Sequence, residues 1–254
     1  MIDPKIFYDY LMKHELDTFY GVPDSLLKDI CACISVHSPK ERHIISANEG
    51  NALALAAGQY VGSGKPSVVY LQNSGIGNLV NPLLSLLDED VYSIPALLLI
   101  GYRGEPGVHD EPQHVKQGKL TLPLLDTLGV PYVVLEDNFQ PQIQQALTWM
   151  KTQQTPFAMV VKKNSFSSYE FPLEEGDYPL TREEALQELM KHAEQDAFFV
   201  ATTGKTSREL YELREHNHQG HHQDFLMVGS MGHTASFALG VSLANNKKVY
   251  CIDG

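Results

Sequence analysis

Along the first 161 positions the apolar residues switch repeatedly between short continuous runs and a spacing of three to four, the signatures of buried strands and of helices. Asp3-Pro4 is a good cap and first-turn pair, and Ile6, Phe7, Tyr10 and Leu11 follow at helical spacing, so a helix opens the chain. Residues 18–21 read as a short strand, and Asp24-Ser25 is expected to cap a second helix reaching about Ser35. A strand at 43–46, an Ala-rich helix at 50–61 and a strand at 67–71 follow. The same rhythm predicts helices at 78–87, 120–128 and 140–151 and strands at 96–100, 132–135 and 157–161, with a long loop over 102–119. Strands alternating with helices predict an α/β fold built on a parallel sheet covered on both faces.

From 163 to 180 the pattern lapses into Asn, Ser, Glu, Pro and Gly, and Pro172 and Pro179 exclude regular helix, which predicts a linker. Thr181 with Glu184 forms a capping-box signature that starts a second alternating unit. Its expected elements are a strand at 197–201, a helix from about Thr206, a strand at 225–228, a helix at 234–244 and a strand at 249–252. The expected organisation is therefore a first domain over 1–162, a linker over 163–180 and a partial α/β domain over 181–254, about half a typical domain in size. Its last strand would leave a sheet edge with no continuation.

A formal net charge of −12 and a pI near 5.3 argue against a nucleic-acid or anionic-membrane surface, because both reward a basic patch. An anionic ligand must then be met by a local cluster of cations. Cys31, Cys33 and Cys251 fit neither an even disulfide framework nor a CxxC pattern, so the expectation is a reducing, cytoplasmic compartment. The first residues lack a signal-peptide pattern, and no apolar run is long enough to span a bilayer.

Candidate chemistry collects where strands end. Glu49, in Ala47-Asn48-Glu49-Gly50-Asn51-Ala52, stands between a strand and an otherwise apolar helix. A carboxylate there is favoured by the helix dipole alone, so the position by itself leaves a structural role open. Gly21-Val22-Pro23-Asp24-Ser25, Gln72-Asn73-Ser74-Gly75-Ile76-Gly77-Asn78 and Gly229-Ser230-Met231-Gly232-His233 also follow strands, and such loops line the crevice where open parallel sheets bind ligands. The run 102–119 concentrates Arg103, His109, His114, Lys116 and Lys119 in an acidic protein.

Taken in order, GVPDS, NEGNA, QNSGIGN, DEPQHVKQG, TTGKTSREL and GSMGH resemble the phosphonopyruvate decarboxylase family of thiamine diphosphate enzymes over the whole chain. The resemblance implies a pyrimidine-binding domain followed by the beginning of a diphosphate-binding domain. It also implies a homodimer or higher homo-oligomer, with the cofactor between the first domain of one subunit and the second of its neighbour. Loss of carbon dioxide from a 2-oxo acid leaves an electron pair that no side chain can delocalise, so the cofactor serves as the electron sink. By resemblance Glu49 hydrogen-bonds the aminopyrimidine ring, and apolar neighbours such as Ala52 and Leu53 are expected to raise its pKa. The resemblance also places Gly75, Gly77 and Asn78 along the cofactor. It implies that Gly229 would offer its carbonyl to the amino group, with Ser230 adjoining it, and that Met231 would be the apolar wedge beneath the bent cofactor, although a core methionine remains open for it. Asp24 resembles the family's acidic residue over the cofactor, a candidate proton relay, and His114 resembles the active-site histidine region, although the paired histidines of pyruvate decarboxylase are missing. Arg103, His114 and Lys116 are candidate contacts for the substrate anion, with a solvated charge the alternative for each and Lys119 the weakest.

The resemblance implies 3-phosphonopyruvate as substrate, with sulfopyruvate as the alternative acid. A non-catalytic, truncated product that keeps subunit-interaction surfaces is the alternative of another class. The run 248–252 climbs into Asp253-Gly254, the approach to a metal-diphosphate turn. The family's first Mg²⁺ ligand follows the glycine matching Gly254, so no metal ligand is assigned here and Asp253 falls one position too early. The chain as written is accordingly expected to bind thiamine diphosphate weakly and to be inactive alone. Gly204-Lys205-Thr206 imitates the end of a Walker A loop, but its first glycine would fall at Phe199. His216, His218, His221 and His222 lack an ordered ligand spacing and read as a hydrated loop.

Overall fold

The computed structural model describes residues 1–171, 176 and 178–253, and contacts divide the chain into two units, Met1–Leu173 and Glu174–Gly254. Pro172, one of the expected helix breakers, and Gly254, the expected turn glycine, lie outside the described residues.

Six parallel strands build the first unit: β1 (Phe19–Gly21), β2 (His43–Ile45), β3 (Val68–Gln72), β4 (Leu97–Gly101), β5 (Tyr132–Val134) and β6 (Phe157–Val161), in the order β2-β1-β3-β4-β6-β5. The connecting helices are α1 (Pro4–Lys13), α2 (Lys28–His37), α3 (Glu49–Ser63), α4 (Ile76–Pro82), α5 (Pro112–Thr127) and α6 (Phe139–Gln153). Register explains the two cores. Phe19, Val68, Leu97 and Phe157 lie side by side across the sheet and face α1, α2 and α6. Their neighbours Tyr20, Val69, Leu98 and Ala158 point the other way, against α3, α4 and α5. Both faces are covered, which is why β3, β4 and β6 read as unbroken apolar runs. Fully buried side chains such as Phe7, Phe19 and Phe157 each stabilise the unit by roughly 1.5–3 kcal/mol.

Asp3 caps α1 through the Lys5 and Ile6 amides at 2.7 and 3.1 Å, with Pro4 at the first turn. Three other boundaries differ from the sequence reading. Asp24-Ser25 does not cap α2: residues 24–27 close a turn, the cap position is Leu27, and the Asp24 carboxylate accepts from the Leu26 amide at 3.0 Å. The docking of buried Leu27 decides where that helix starts. Half of the expected 102–119 loop is helical, because Pro112 takes the first position of α5, where its missing N–H costs nothing. The buried stripe of α5 is His114, Gly118, Thr121 and Leu125, too polar to register as a hydrophobic period. Finally, Asn73–Gly75 make one 3₁₀ turn and α4 begins at Ile76, so Gly77 and Asn78 are helical.

The stretch expected as linker begins inside the first unit. Phe166 is buried against Phe7 at 5.2 Å between ring centroids, the Ile2 amide donates to the Ser165 carbonyl at 2.8 Å, and the Tyr169 amide donates to Asp29 at 3.1 Å.

In the second unit β7 (Phe198–Ala201), β8 (Asp224–Leu226) and β9 (Val249–Ile252) form a parallel sheet in the order β8-β7-β9. Its helices are α7 (Arg182–His192), α8 (Lys205–His216) and α9 (Thr234–Ala244). Thr181 and Glu184 form the expected capping box on α7. Ala197, Phe199, Ala201 and Leu210 make a small core, flanked by a two-pronged Arg214–Asp224 ion pair. No described helix is long and apolar enough to cross a membrane.

Candidate functional site

Because the strands are parallel, every chain segment leaving the first sheet by its carboxyl edge emerges on one side, and the order reverses at β1, which has β2 on one flank and β3 on the other. Crevices at such reversals are where open α/β sheets take ligands. Asp24 follows β1, Glu49 follows β2, Asn73 to Asn78 follow β3 and Arg103 follows β4.

Glu49 is the first residue of α3, behind an Asn48 cap whose side chain accepts from the Asn51 amide at 2.9 Å. It is half-buried, and its Oε2 accepts from the Asn78 side-chain amide at 2.7 Å. Its Oε1 lies against Gly75, so close that a Cβ on residue 75 would overlap the carboxylate. Gly50 is constrained as well, though less, since a Cβ there would stand 2.9 Å from the Asn78 carbonyl oxygen. Ala52 and Leu53, one turn along the same helix, are buried in the helix–sheet core, and Gly75 and Asn78 approach the carboxylate from the segment after β3. Gly77 has open space where a Cβ would sit.

A second group surrounds Arg103. Its Nε donates to Asp110 Oδ2 at 2.8 Å, its Nη2 donates to Oδ1, and its Nη1 donates to Ser25 Oγ at 2.7 Å. The guanidinium beside Asp110 holds that carboxyl well below the usual carboxylate range. Asn73 joins the ends of β3 and β4: its amide donates to the Arg103 carbonyl at 2.7 Å and to Thr121 Oγ1 at 2.8 Å, and its Oδ1 accepts from the Arg103 amide at 3.2 Å. Asp24 is 6% exposed and its Oδ1 has no hydrogen-bond partner among the described residues. Burial raises the Asp24 carboxyl, opposed by the Leu26 amide and by Arg103. His114 is 8% exposed, its Nδ1 likewise lacks a partner among the described residues, and burial first, then Arg103, lowers its pKa. Lys116 does not join this group. It lies two residues beyond His114 on α5, about 200° around the helix, and is exposed, as is Lys119.

In the second unit Gly229, Ser230 and Met231 follow β8 in a tight turn with φ of 56° at Ser230 and 83° at Gly232. Met231 is 61% exposed, so within this unit it is not a core methionine. Gly204, at φ 94°, precedes the first turn of α8. His221 pairs with Glu215 at 2.7 Å and stacks on Tyr211, and no group of three metal-ligating side chains gathers among the described residues.

Asp110, Asn73, Ser25 and Thr121 escaped the sequence reading. Asp110 lies in the DEPQH run seven residues from Arg103, a separation that no strand or helix spacing pairs.

These features define an α/β unit with a carboxylate, a bare-backbone cradle and a buried charge cluster at one sheet edge. Residues 4–125 match the family described as "Thiamine pyrophosphate enzyme, N-terminal TPP binding domain". The chain is 33% identical over 258 aligned residues to a phosphonopyruvate decarboxylase of Streptomyces viridochromogenes, covering 93% of this chain and 62% of that relative's length. Against the sulfopyruvate decarboxylase subunit alpha of Methanocaldococcus jannaschii the identity is 32% over 127 residues, 49% of this chain and 70% of the subunit. A sulfopyruvate decarboxylase subunit beta of Methanococcus maripaludis is 36% identical over 75 residues, 30% of this chain and 37% of that subunit. The chain belongs to the thiamine diphosphate-dependent 2-oxo acid decarboxylase family.

Proposed function

We propose that the protein decarboxylates 3-phosphonopyruvate to phosphonoacetaldehyde and carbon dioxide with thiamine diphosphate, Mg²⁺ serving to neutralise the diphosphate. The observation that carries this reading is the Glu49 carboxylate seated on Gly75 and tied to Asn78 at the carboxyl edge of the first sheet, in a chain that belongs to this family. The match to a phosphonopyruvate decarboxylase extends over 93% of this chain, where the sulfopyruvate subunits match 49% and 30% of it, and this favours the phosphonate over the sulfonate.

The residues present fit such a cofactor and acid. Gly75 keeps backbone bare beside Glu49, and two buried polar atoms, Asp24 Oδ1 and His114 Nδ1, have acceptor or donor capacity that a bound polar group would satisfy. Glu49, Gly75, Gly77 and Asn78 would hold the pyrimidine end, and Gly229, Ser230 and Met231 of the second unit are assigned to the cofactor held by the first unit of a neighbouring subunit. No residue of this chain is assigned to Mg²⁺. When bound, thiamine diphosphate supplies the electron sink that decarboxylation requires.

The side chains divide the remaining work. Glu49 shares a proton at Oε1, because Oε2 already accepts the Asn78 amide. Asp24, whose carboxyl burial raises, retains a proton to higher pH than an exposed aspartate and delivers it to the product. His114 stays neutral and presents Nδ1 as a hydrogen-bonding atom. Arg103 meets the substrate's anionic end. We assign no role to Lys116 or Lys119. The protein works as a homo-oligomer in the cytoplasm, a reading that the free thiols of Cys31, Cys33 and Cys251 suit.

The test is a comparison of kcat/KM for phosphonopyruvate, sulfopyruvate and pyruvate. One or two charge-assisted hydrogen bonds are worth about 1.5–3 kcal/mol each, so phosphonopyruvate should exceed pyruvate by about 10–100-fold or more. It should also exceed sulfopyruvate. Equal values for the three acids would contradict the assignment.

A further inference from the structure

The carboxylate of Asp110 receives four hydrogen bonds: from Arg103 Nε at 2.8 Å, from Arg103 Nη2, and from the Gly104 and Glu111 amides at 2.8 Å each. An ionised carboxylate has about four acceptor sites, so Asp110 is saturated. It is therefore poorly placed to take a proton from a substrate or to bind a metal. Its partners show what it does instead. Gly104 belongs to the segment leaving β4, Glu111 is the cap residue of α5, and Arg103 reaches across to Ser25 in the loop after β1. One side chain thus fixes the guanidinium and the start of the helix that carries His114.

Arg103 has five N–H donors. Asp110 takes two and Ser25 takes one, which leaves one N–H on Nη1 and one on Nη2 among the described residues. Both partners of the ion pair are largely buried, with side chains 17% and 16% exposed. The pair carries no net charge, so Arg103 can select an anion by the direction of its remaining donors rather than by free positive charge.

We propose that Asp110 is the positioning residue for anion selection: it clamps Arg103 so that its last two N–H groups form a fixed pair for the phosphonate or carboxylate of the substrate. This rests on the reaction proposed above and extends it to a residue that touches no reacting atom.

The clamp and a mere damping of Arg103 predict opposite signs. If Asp110 only neutralised the arginine, Asp110→Asn would free positive charge and lower the KM for phosphonopyruvate. With the clamp, Asp110→Asn raises that KM about tenfold or more and leaves kcat within about threefold, since remaining binding contacts and proton transfer are untouched. Arg103→Lys keeps the charge but loses the planar fork, and should raise KM to the same extent. The double variant should be no worse than either single one, because both break the same contact. Unchanged or lower KM in Asp110→Asn, or additive effects, would overturn the proposal. A readout independent of turnover is the Arg103 Nε–H signal by NMR in the full protein: held on Asp110 Oδ2 it should exchange slowly with solvent, and Asp110→Asn should speed that exchange about tenfold or more. Unchanged exchange would show that Asp110 does not hold the guanidinium. If the wild-type protein turned over none of the three acids, the reaction itself would fall, and the Arg103 exchange would still decide the clamp.

Discussion

Asp24 is held in a position that costs stability at neutral pH. Burial raises its carboxyl, and one oxygen finds no partner among the described residues. A raised carboxyl pKa means that the native chain binds the proton more tightly than the unfolded chain. Stability is then greatest below the unfolded value, near 3.9, and declines as pH rises through the folded value. Asp24→Asn is expected to raise the first unit's Tm at pH 7 by about 2–4 °C, the effect of about 1 kcal/mol at this size. Thermal scans at pH 7 and in acid check this, and a gain that persists unchanged in acid would contradict it. His114 has the opposite sign: its lowered pKa removes stability as pH falls below the ordinary histidine range. At this scale Glu49 stood out in the sequence as a lone carboxylate between a strand and an otherwise apolar helix, a position that the helix dipole alone also favours. Asp110 was not legible, because its meaning depends on a partner seven residues away and on two backbone amides that only the folded loop brings together.

Among elements, α5 shows why polarity obscured a helix. Its buried stripe includes Gly118 because the Gly104 carbonyl lies where a Cβ at 118 would be, and Gly104 itself turns at φ 67°. Gly118→Ala should destabilise the first unit by about 1–3 kcal/mol through overpacking. Gly77→Ala on α4, where a Cβ meets open space, should be neutral or stabilising by about 0.4–1 kcal/mol, since alanine leaves the unfolded chain fewer conformations to lose. Denaturant midpoints of the two variants check the contrast, and equal destabilisation would refute it. Strands β3, β4 and β6 were readable because burial on both faces leaves unbroken apolar runs. The start of α2, set by the docking of Leu27, was not, nor was α5, whose buried stripe is largely polar.

For the whole molecule, the alternation of strands and helices carried the parallel-sheet architecture, and the carboxyl edge of that sheet is where the quoted motifs of the first unit gather. The same alternation recurs in the second unit on a smaller core, with Phe225, Leu239 and Leu243 exposed. The proposed reaction turns on Glu49, and replacing it in the full protein is the most direct test. Glu49→Gln keeps the shape beside Gly75 and the link to Asn78 but cannot give or take the proton. With thiamine diphosphate and Mg²⁺ present, phosphonopyruvate turnover should fall by about 10²–10⁴-fold while the circular dichroism and thermal transition stay those of the wild type. Turnover within a few-fold of wild type, with cofactor activation unchanged, would contradict the account.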